Sequence, residues 1–339
     1  MWWLLGAAVA ATVELPEGDV LSSFRVRGMG GACAALAESA TCQLRQPASV
    51  GVRRPEDDNA WGADTTIQAP RHPVLTRLFG GEDDPAPSLR TKWQVGSNLK
   101  MNRFAAGVHL RQDAYNGPDG AYTASQWGAL AGVSGSAWSV GGAPVLVTWQ
   151  TPEGGVGAGL GGVVGGLWAP DRSPLRVGLT GRAPVRTQSL SGRAWDSTRL
   201  PGRVSVGLGY GFGIANGARE EWPDRVRPTP DGSYLQLFTD VEVTGASGEA
   251  VGVFAGGEAP VSVVVRGGGE VDTLQRRLRV RAGAYNEPQR FGDAPDRLHL
   301  TGGAAVHAFT WLQGTRWRVG ASMDWSPGSP AVAFGLETW

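Results

Sequence analysis

Ala331-Val332-Ala333-Phe334-Gly335-Leu336-Glu337-Thr338-Trp339 closes the chain. Its apolar residues alternate with small or polar ones and it stops on an aromatic, the pattern of a terminal β-strand. Working back from it, about 240 residues repeat the same theme: short two-residue periods rich in Gly and aromatics, with no helix-like stretch. Such a series ending on an aromatic predicts an all-β fold, an outer-membrane β-barrel. Only helices and closed barrels satisfy their backbone hydrogen bonds in lipid, so this reading fixes the solvent before any site is considered.

The composition is consistent with that expectation. The chain has 339 residues and a formal charge of zero, so there is no basic footprint for nucleic acid. Gly accounts for 52 residues, about twice the usual share, which suits curved, tightly packed sheets. No apolar run reaches the length of a membrane helix. Barrel strands escape hydropathy because lipid-facing and lumen-facing residues alternate.

From residue 92 onward the faces separate. In 103–114, Phe104, Ala106, Val108 and Leu110 oppose Arg103, His109 and Arg111. In 203–213, Val204, Val206, Leu208, Tyr210 and Phe212 oppose Ser205 and small residues; in 316–325, Trp317, Val319, Ala321, Met323 and Trp325 oppose Arg316, Arg318, Ser322 and Asp324. Segments 174–186, 234–244, 277–287 and 297–308 behave alike. Further strands are expected near 93–101, 120–131, 138–149, 155–168, 260–271 and 331–339, with a short strand candidate near 61–68 among polar connections; that gives thirteen or fourteen, and the even count of such barrels selects fourteen antiparallel strands. Trp93, Tyr115, Trp149, Trp168, Tyr234 and Trp325 fall near strand ends and are expected in interfacial girdles. A soluble sandwich would share the alternation but not strands of this length with charges kept to one face. A propeller would show a repeat of about 40–50 residues, and none is found.

The N-terminal part differs. Met1–Thr12 reads as a signal-peptide core with small residues near Ala10, or as a buried apolar strand; the domain reading is signal peptide 1–14, N-terminal hatch 15–56 and transmembrane barrel 57–339. Residues 53–90 are Pro-rich and polar, with acidic clusters Asp57-Asp58 and Glu82-Asp83-Asp84. Cys33 and Cys42 are either a disulfide in an exported chain or two small buried thiols, and their spacing carries no metal signature. Gly28-Met29-Gly30-Gly31 lacks the Gly-Lys-Ser/Thr ending of a phosphate loop.

Arg27-Gly28-Met29-Gly30-Gly31-Ala32, followed by Ala34-Ala35-Leu36-Ala37 and Pro47-Ala48, resembles the N-terminal hatch of the FadL-like outer-membrane transport proteins. Leu200–Tyr210, Phe238–Gly245 and Arg279–Pro288 are similar in style to later segments of that family. The resemblance implies a 14-stranded barrel in a Gram-negative outer membrane, its lumen blocked by a hatch built on Gly28, Gly30, Gly31, Pro47 and Ala48. It further implies passive uptake of hydrophobic molecules such as long-chain fatty acids or aromatic hydrocarbons. Gln46 stands where the family carries Asn before Pro-Ala, the chain is shorter than a typical member, and Trp339 falls out of phase with Val332, Phe334 and Leu336.

Several residues carry competing readings. Met29, Ala32, Ala35 and Leu36 line a ligand pocket or pack the hatch against the wall. Arg277, Arg279 and Arg281 form an inward stripe that pairs with acids such as Asp240, Glu242 and Asp324, or that binds a ligand carboxylate through the guanidinium fork. His299 and His307 are about 26 Å apart along one strand, too far to share a site; either could meet a partner such as Asp324 across strands. The expected function is hydrophobic uptake by a monomer without cofactors that relies on the barrel-assembly machinery and outer-membrane lipid. The alternatives are a non-transporting structural or docking barrel, and an outer-membrane hydrolase.

Overall fold

A computed structural model describes residues 12–14, 23–36, 40, 42–52, 61–69, 89–117, 120–135, 137–170, 173–191, 197–213, 234–252, 256–274, 277–288, 296–311, 315–326 and 331–338. Trp339, His72, both acidic clusters and the first eleven residues lie outside them.

In chain order the elements are β1 (Thr12–Glu14), α1 (Phe24–Gly28), a 3-10 turn (Pro47–Gly51), β2 (Trp61–Ala69), β3 (Leu89–Met101), β4 (Phe104–Gly117), β5 (Gly120–Ser134), β6 (Trp138–Gln150) and β7 (Val156–Trp168). There follow β8 (Leu175–Arg182), β9 (Val185–Ser191), β10 (Ser197–Leu200), β11 (Arg203–Gly213), β12 (Tyr234–Thr244), β13 (Ser247–Gly252) and β14 (Gly256–Ala259). The last are β15 (Ser262–Thr273), β16 (Leu278–Glu287), β17 (Arg297–Trp311), β18 (Thr315–Trp325) and β19 (Ala331–Thr338).

Antiparallel pairing runs β2 to β8 in order, passes to β11, β12 and β15, and continues through β16, β17, β18 and β19 back to β2, closing a 14-stranded barrel. The fold class expected from the alternation is the one found, and closure leaves no free edge in the wall. β9–β10 and β13–β14 are hairpin extensions at one mouth, and β1 runs parallel to both β10 and β13, bridging them. Residues 12–14 therefore pair with both hairpin extensions at that mouth.

The two faces of the wall differ as lipid and lumen require. Leu179, Val206, Leu208, Val241, Val280, Val319 and Met323 point outward and are about half exposed, making an apolar belt. Trp127, Trp138, Trp168 and Trp325 sit on the same outer face. The side chain of Tyr115 lies outside those described, and among the other five the girdle expectation fails at two positions. Trp149 and Tyr234 occupy inward-facing places and are 3% and 1% exposed. Each sits at a strand end, where an interface residue is expected, but the two-residue period turns both into the lumen.

Every described residue from Ser23 to Val52 is buried inside the barrel. α1 starts at Ser23, whose hydroxyl accepts from Val26 N at 3.1 Å, and it lies against β16 to β19. The 3-10 turn, begun by Pro47, lies against β3 to β7 on the opposite side. The hatch thus spans the lumen. Between these ends its backbone presses on wall glycines. A Cβ on Gly178 would overlap the Ala34 carbonyl, and one on Gly268 would come within 2.6 Å of the Met29 backbone. Gly30 takes φ +69°, a left-handed conformation that an L side chain adopts only under strain, and lies against the β15–β16 ladder.

Candidate functional site: an uncharged sector of the lumen

The inner wall is chemically divided. β4, β8, β11, β12, β15, β16 and β18 all send buried ionic side chains inward, among them Arg111, Arg182, Arg203, Glu242, Glu270, Arg281 and Asp324. β5, β6 and β7 send none, because they contain no Asp, Glu, Lys, Arg or His. From Gly120 to Pro170 the one charged residue is Glu153, in the turn between β6 and β7.

The uncharged sector is lined with apolar side chains. Tyr122, Ala124 and Leu130 come from β5; Ala143, Val145, Val147 and Trp149 come from β6; Val163 comes from β7. They join Leu44 and Val50 of the hatch in one buried cluster. The sector continues onto Val185 of β9 and Leu200 of β10 because the wall bends there. β8 pairs with Val163–Trp168 of β7, and β9 resumes pairing at Ala158 one residue out of step. Pro184 and Pro201 interrupt the two strands facing each other at this level, and neither has an N–H to extend the ladder. β9 then folds inward over Gly159 and Gly161: a Cβ on Gly159 would overlap the Arg186 carbonyl, and one on Gly161 would overlap the Val185 side chain.

Across the lumen the charges are tied into knots with the hatch. Glu270 receives Arg25 Nε at 2.7 Å, Arg281 Nε at 2.6 Å and the Tyr234 hydroxyl at 2.6 Å. Arg279 donates to Asp272 at 2.8 Å. Glu242 receives Arg45 of the hatch at 2.9 Å, Arg266 at 3.0 Å and Ser205 at 3.1 Å, with Arg203 at 3.5 Å. Asp240 accepts the backbone N–H of Cys33 at 2.5 Å and of Ala34 at 2.8 Å. Thr301 accepts from Gly30 N at 2.9 Å and donates to Gly28 O at 3.2 Å. Buried charges this well paired hold the hatch in one seating.

The residues singled out in the sequence fall into distinct places. Met29, Ala32, Ala35 and Leu36 are buried together with Val26, Cys33, Cys42 and wall residue Phe238, so they make the hatch's own packed core. Cys33 and Cys42 are joined as a disulfide, with Cα atoms 6.2 Å apart. Pro47 and Ala48 form the turn on β5 to β7, where Ser139 donates to Ala48 O at 2.7 Å. Gln46, in the family's Asn position, caps that turn: its Oε1 accepts from Ala48 N at 3.3 Å, and its Nε2 donates to Ala34 O at 2.8 Å and Gly166 O at 3.2 Å.

The Arg stripe departs from expectation. Arg277 sits exposed beyond the end of β15, outside the lumen row. Arg279 and Arg281 do pair with acids, but with Asp272 and Glu270 rather than with Asp240, Glu242 or Asp324. β15 stands directly beside β16, and the cross-strand register sets Asp272 against Arg279 and Glu270 against Arg281. His299 does meet Asp324, Nδ1 to Oδ1 at 2.8 Å. Its other nitrogen is 3.0 Å from Glu287, and Tyr285 stacks on the ring and donates to Asp324 at 2.7 Å. Carboxylates and a phenol surround this imidazole, an ion-pair knot rather than a nucleophile with its base.

The uncharged sector is what sequence reading missed. The signal was available: a stretch of 51 residues, Gly120 to Pro170, in which Glu153 alone is charged. Reading each strand for its own alternation hides a contrast that appears only between strands.

No family model matches the chain, and no curated protein matches it in sequence. Solved structures do match in fold. One is a deltaS2S3 mutant of the TodX monoaromatic hydrocarbon channel, with TM-score 0.51 and 12% identity over 93% of this chain and 98% of that one. Another is the Ralstonia pickettii toluene transporter TbuX, with TM-score 0.51 and 12% identity over 92% of this chain and 96% of that one. The fold of this chain is that of these two structures, the closed 14-stranded antiparallel barrel that the resemblance implied.

Proposed function

We propose that the barrel admits hydrophobic small molecules, of the long-chain fatty acid or aromatic hydrocarbon type, across the outer membrane of a Gram-negative bacterium by diffusion. The observation that carries this reading is the uncharged sector of β5, β6 and β7, which runs along the lumen wall beside the hatch. The sector is packed against Leu44 and Val50 of the hatch; once the hatch yields, an apolar solute gains roughly 25 cal/mol per Å² of apolar area by leaving water for it, and no charged side chain of those strands must be desolvated to let it pass. The inward fold of β9 over Gly159 and Gly161 carries the same surface toward the mouth. The shared fold with a monoaromatic hydrocarbon channel and a toluene transporter supports the reading. The protein works as a monomer inserted by the barrel-assembly machinery, without a cofactor, and the hatch is its gate.

A second reading rests on the opposite wall. Knots such as Arg25–Glu270–Arg281 and Arg45–Glu242–Arg266 fix the hatch firmly, as a structural or docking barrel would require. Uptake separates the two. Cells of a Gram-negative host lacking its own channels for hydrophobic compounds are given radiolabelled toluene or hexadecane. The transport reading expects uptake several-fold above vector cells, lost in Val147→Lys protein that still reaches the membrane folded. Uptake at the vector level with correctly folded protein leaves the docking reading.

A further inference from the structure

The same lumen also bears on which hydrophobic molecules pass. Resting on the transport reading above and narrowing it, we infer that of its two substrate types the path takes the uncharged hydrocarbon and refuses the fatty acid, a carboxylate of the same apolar bulk. Two independent features point this way.

The first is the sector itself. β5 to β7 offer Tyr122, Val145, Val147 and Trp149 but no cation to receive a head group. A carboxylate moved along this wall would lose its water, the costliest outcome for a buried charge left unpaired, and the cations at the two edges of the sector, Arg111 opposite Gln126 and Arg182 opposite Val163, already hold Asp113 and the Pro201 carbonyl.

The second is the state of the guanidinium groups opposite. Glu270 accepts from Arg25 and Arg281 together, Glu242 from Arg45 and Arg266 together, and Asp272 from Arg279. Each of these guanidinium groups already spends at least one N–H on a wall carboxylate, and the bonds that share Glu270 with Arg25 and Glu242 with Arg45 also seat the hatch. An incoming acid would have to displace a buried intramolecular partner and loosen the plug. Of the stripe residues that face the lumen, Arg281 therefore serves the hatch through Glu270 and Arg279 serves the wall pair with Asp272, rather than a ligand.

The test gives the host cells described above radiolabelled hexadecane, toluene and oleate in parallel, with oleate and hexadecane matched as long chains that differ in charge. The expected result is uptake of hexadecane or toluene several-fold above vector cells, with oleate at the vector level. Equal stimulation of oleate overturns the charge exclusion while leaving the transport reading intact. No stimulation of any of the three overturns both. Glu270→Gln, confirmed as a folded barrel by heat-modifiable migration, adds a directional check. Releasing Arg25 and Arg281 is expected to raise oleate entry relative to hexadecane, and an unchanged ratio counts against the quenching argument.

Discussion

Arg25 of the hatch is held against Glu270 of the wall, Nε to Oε2 at 2.7 Å, with neither side chain exposed to solvent. The contact spans 245 residues of sequence, and it seats α1 against the strand pair β15–β16. Arg281 and Tyr234 share the same carboxylate, so Glu270 is the hub and each arginine a spoke.

Removing the hub is therefore expected to cost more than removing a spoke. Glu270→Gln leaves Arg25 and Arg281 close together with no carboxylate between them, at about 3–5 kcal/mol, the range for breaking a buried ion pair. Arg25→Met takes one charge away and leaves Glu270 with Arg281, and should cost less. Guanidinium unfolding in detergent, followed by tryptophan fluorescence, ranks the two. A larger loss for Arg25→Met would place the hub elsewhere.

Among the described wall glycines, Gly178 on β8 is the one the hatch backbone crowds most. A Cβ there would overlap the Ala34 carbonyl, which is backbone and cannot swing aside as a side chain would. Gly178→Val is expected to leave the barrel assembled but the hatch unseated, with an overpacking penalty of about 1–3 kcal/mol. Limited proteolysis of the folded variant should then cut between residues 23 and 52, where the parent protein is protected. A protected hatch in the variant would mean that the wall, not the hatch, yields.

The barrel itself was legible because its signal is local. Alternation such as Val204, Val206, Leu208 against Ser205 and Gly207 states which residues face lipid, and the described strands follow it except in 174–186, where the break at Pro184 splits the segment into β8 and β9 and turns Val185, expected beside Leu179, into the lumen. Hatch residues were legible through a compact motif, Gly28 to Ala32. Cross-strand partners were not, because they depend on register and on which strands are neighbours. Nothing in 277–287 says that Arg281 will face Glu270, since β13 and β14 leave the ring and bring β15 beside β12 on one side and β16 on the other. Trp149 and Tyr234 were misplaced for a related reason. Position near a strand end suggests an interface, but parity decides the face.

Parity itself makes a prediction. Leu208 lies at the middle of β11 on the outer face, about half exposed, while Ser205 faces inward and donates to Glu242 at 3.1 Å. Leu208→Arg sets a charge against the hydrocarbon core, with an expected loss of about 2–4 kcal/mol at mid-bilayer depth. Ser205→Ala removes one hydrogen bond from a carboxylate that keeps its arginines, about 1 kcal/mol. Reversible folding into lipid vesicles measures both, and equal penalties would contradict the assignment of faces.

Gln46 tests how far a departure from the pattern that the sequence resembles is compensated by the wall. Its side chain accepts from Ala48 N to cap the 3-10 turn and donates to Ala34 O within the hatch and to Gly166 O on β7. Reaching so far requires room, and Gly165 provides it, since a Cβ there would overlap Gln46 Oε1. Gln46→Ala loses the cap and leaves buried carbonyls without their donor, about 2–3 kcal/mol together. Gln46→Asn is one methylene shorter, so it should keep the cap but miss β7 and fall between the two. Gly165→Ala should be harmful with Gln46 present and much less so when combined with Gln46→Asn, giving a coupling of about 1 kcal/mol or more in a double-mutant cycle. Additive effects would mean that the space over Gly165 has nothing to do with the longer side chain.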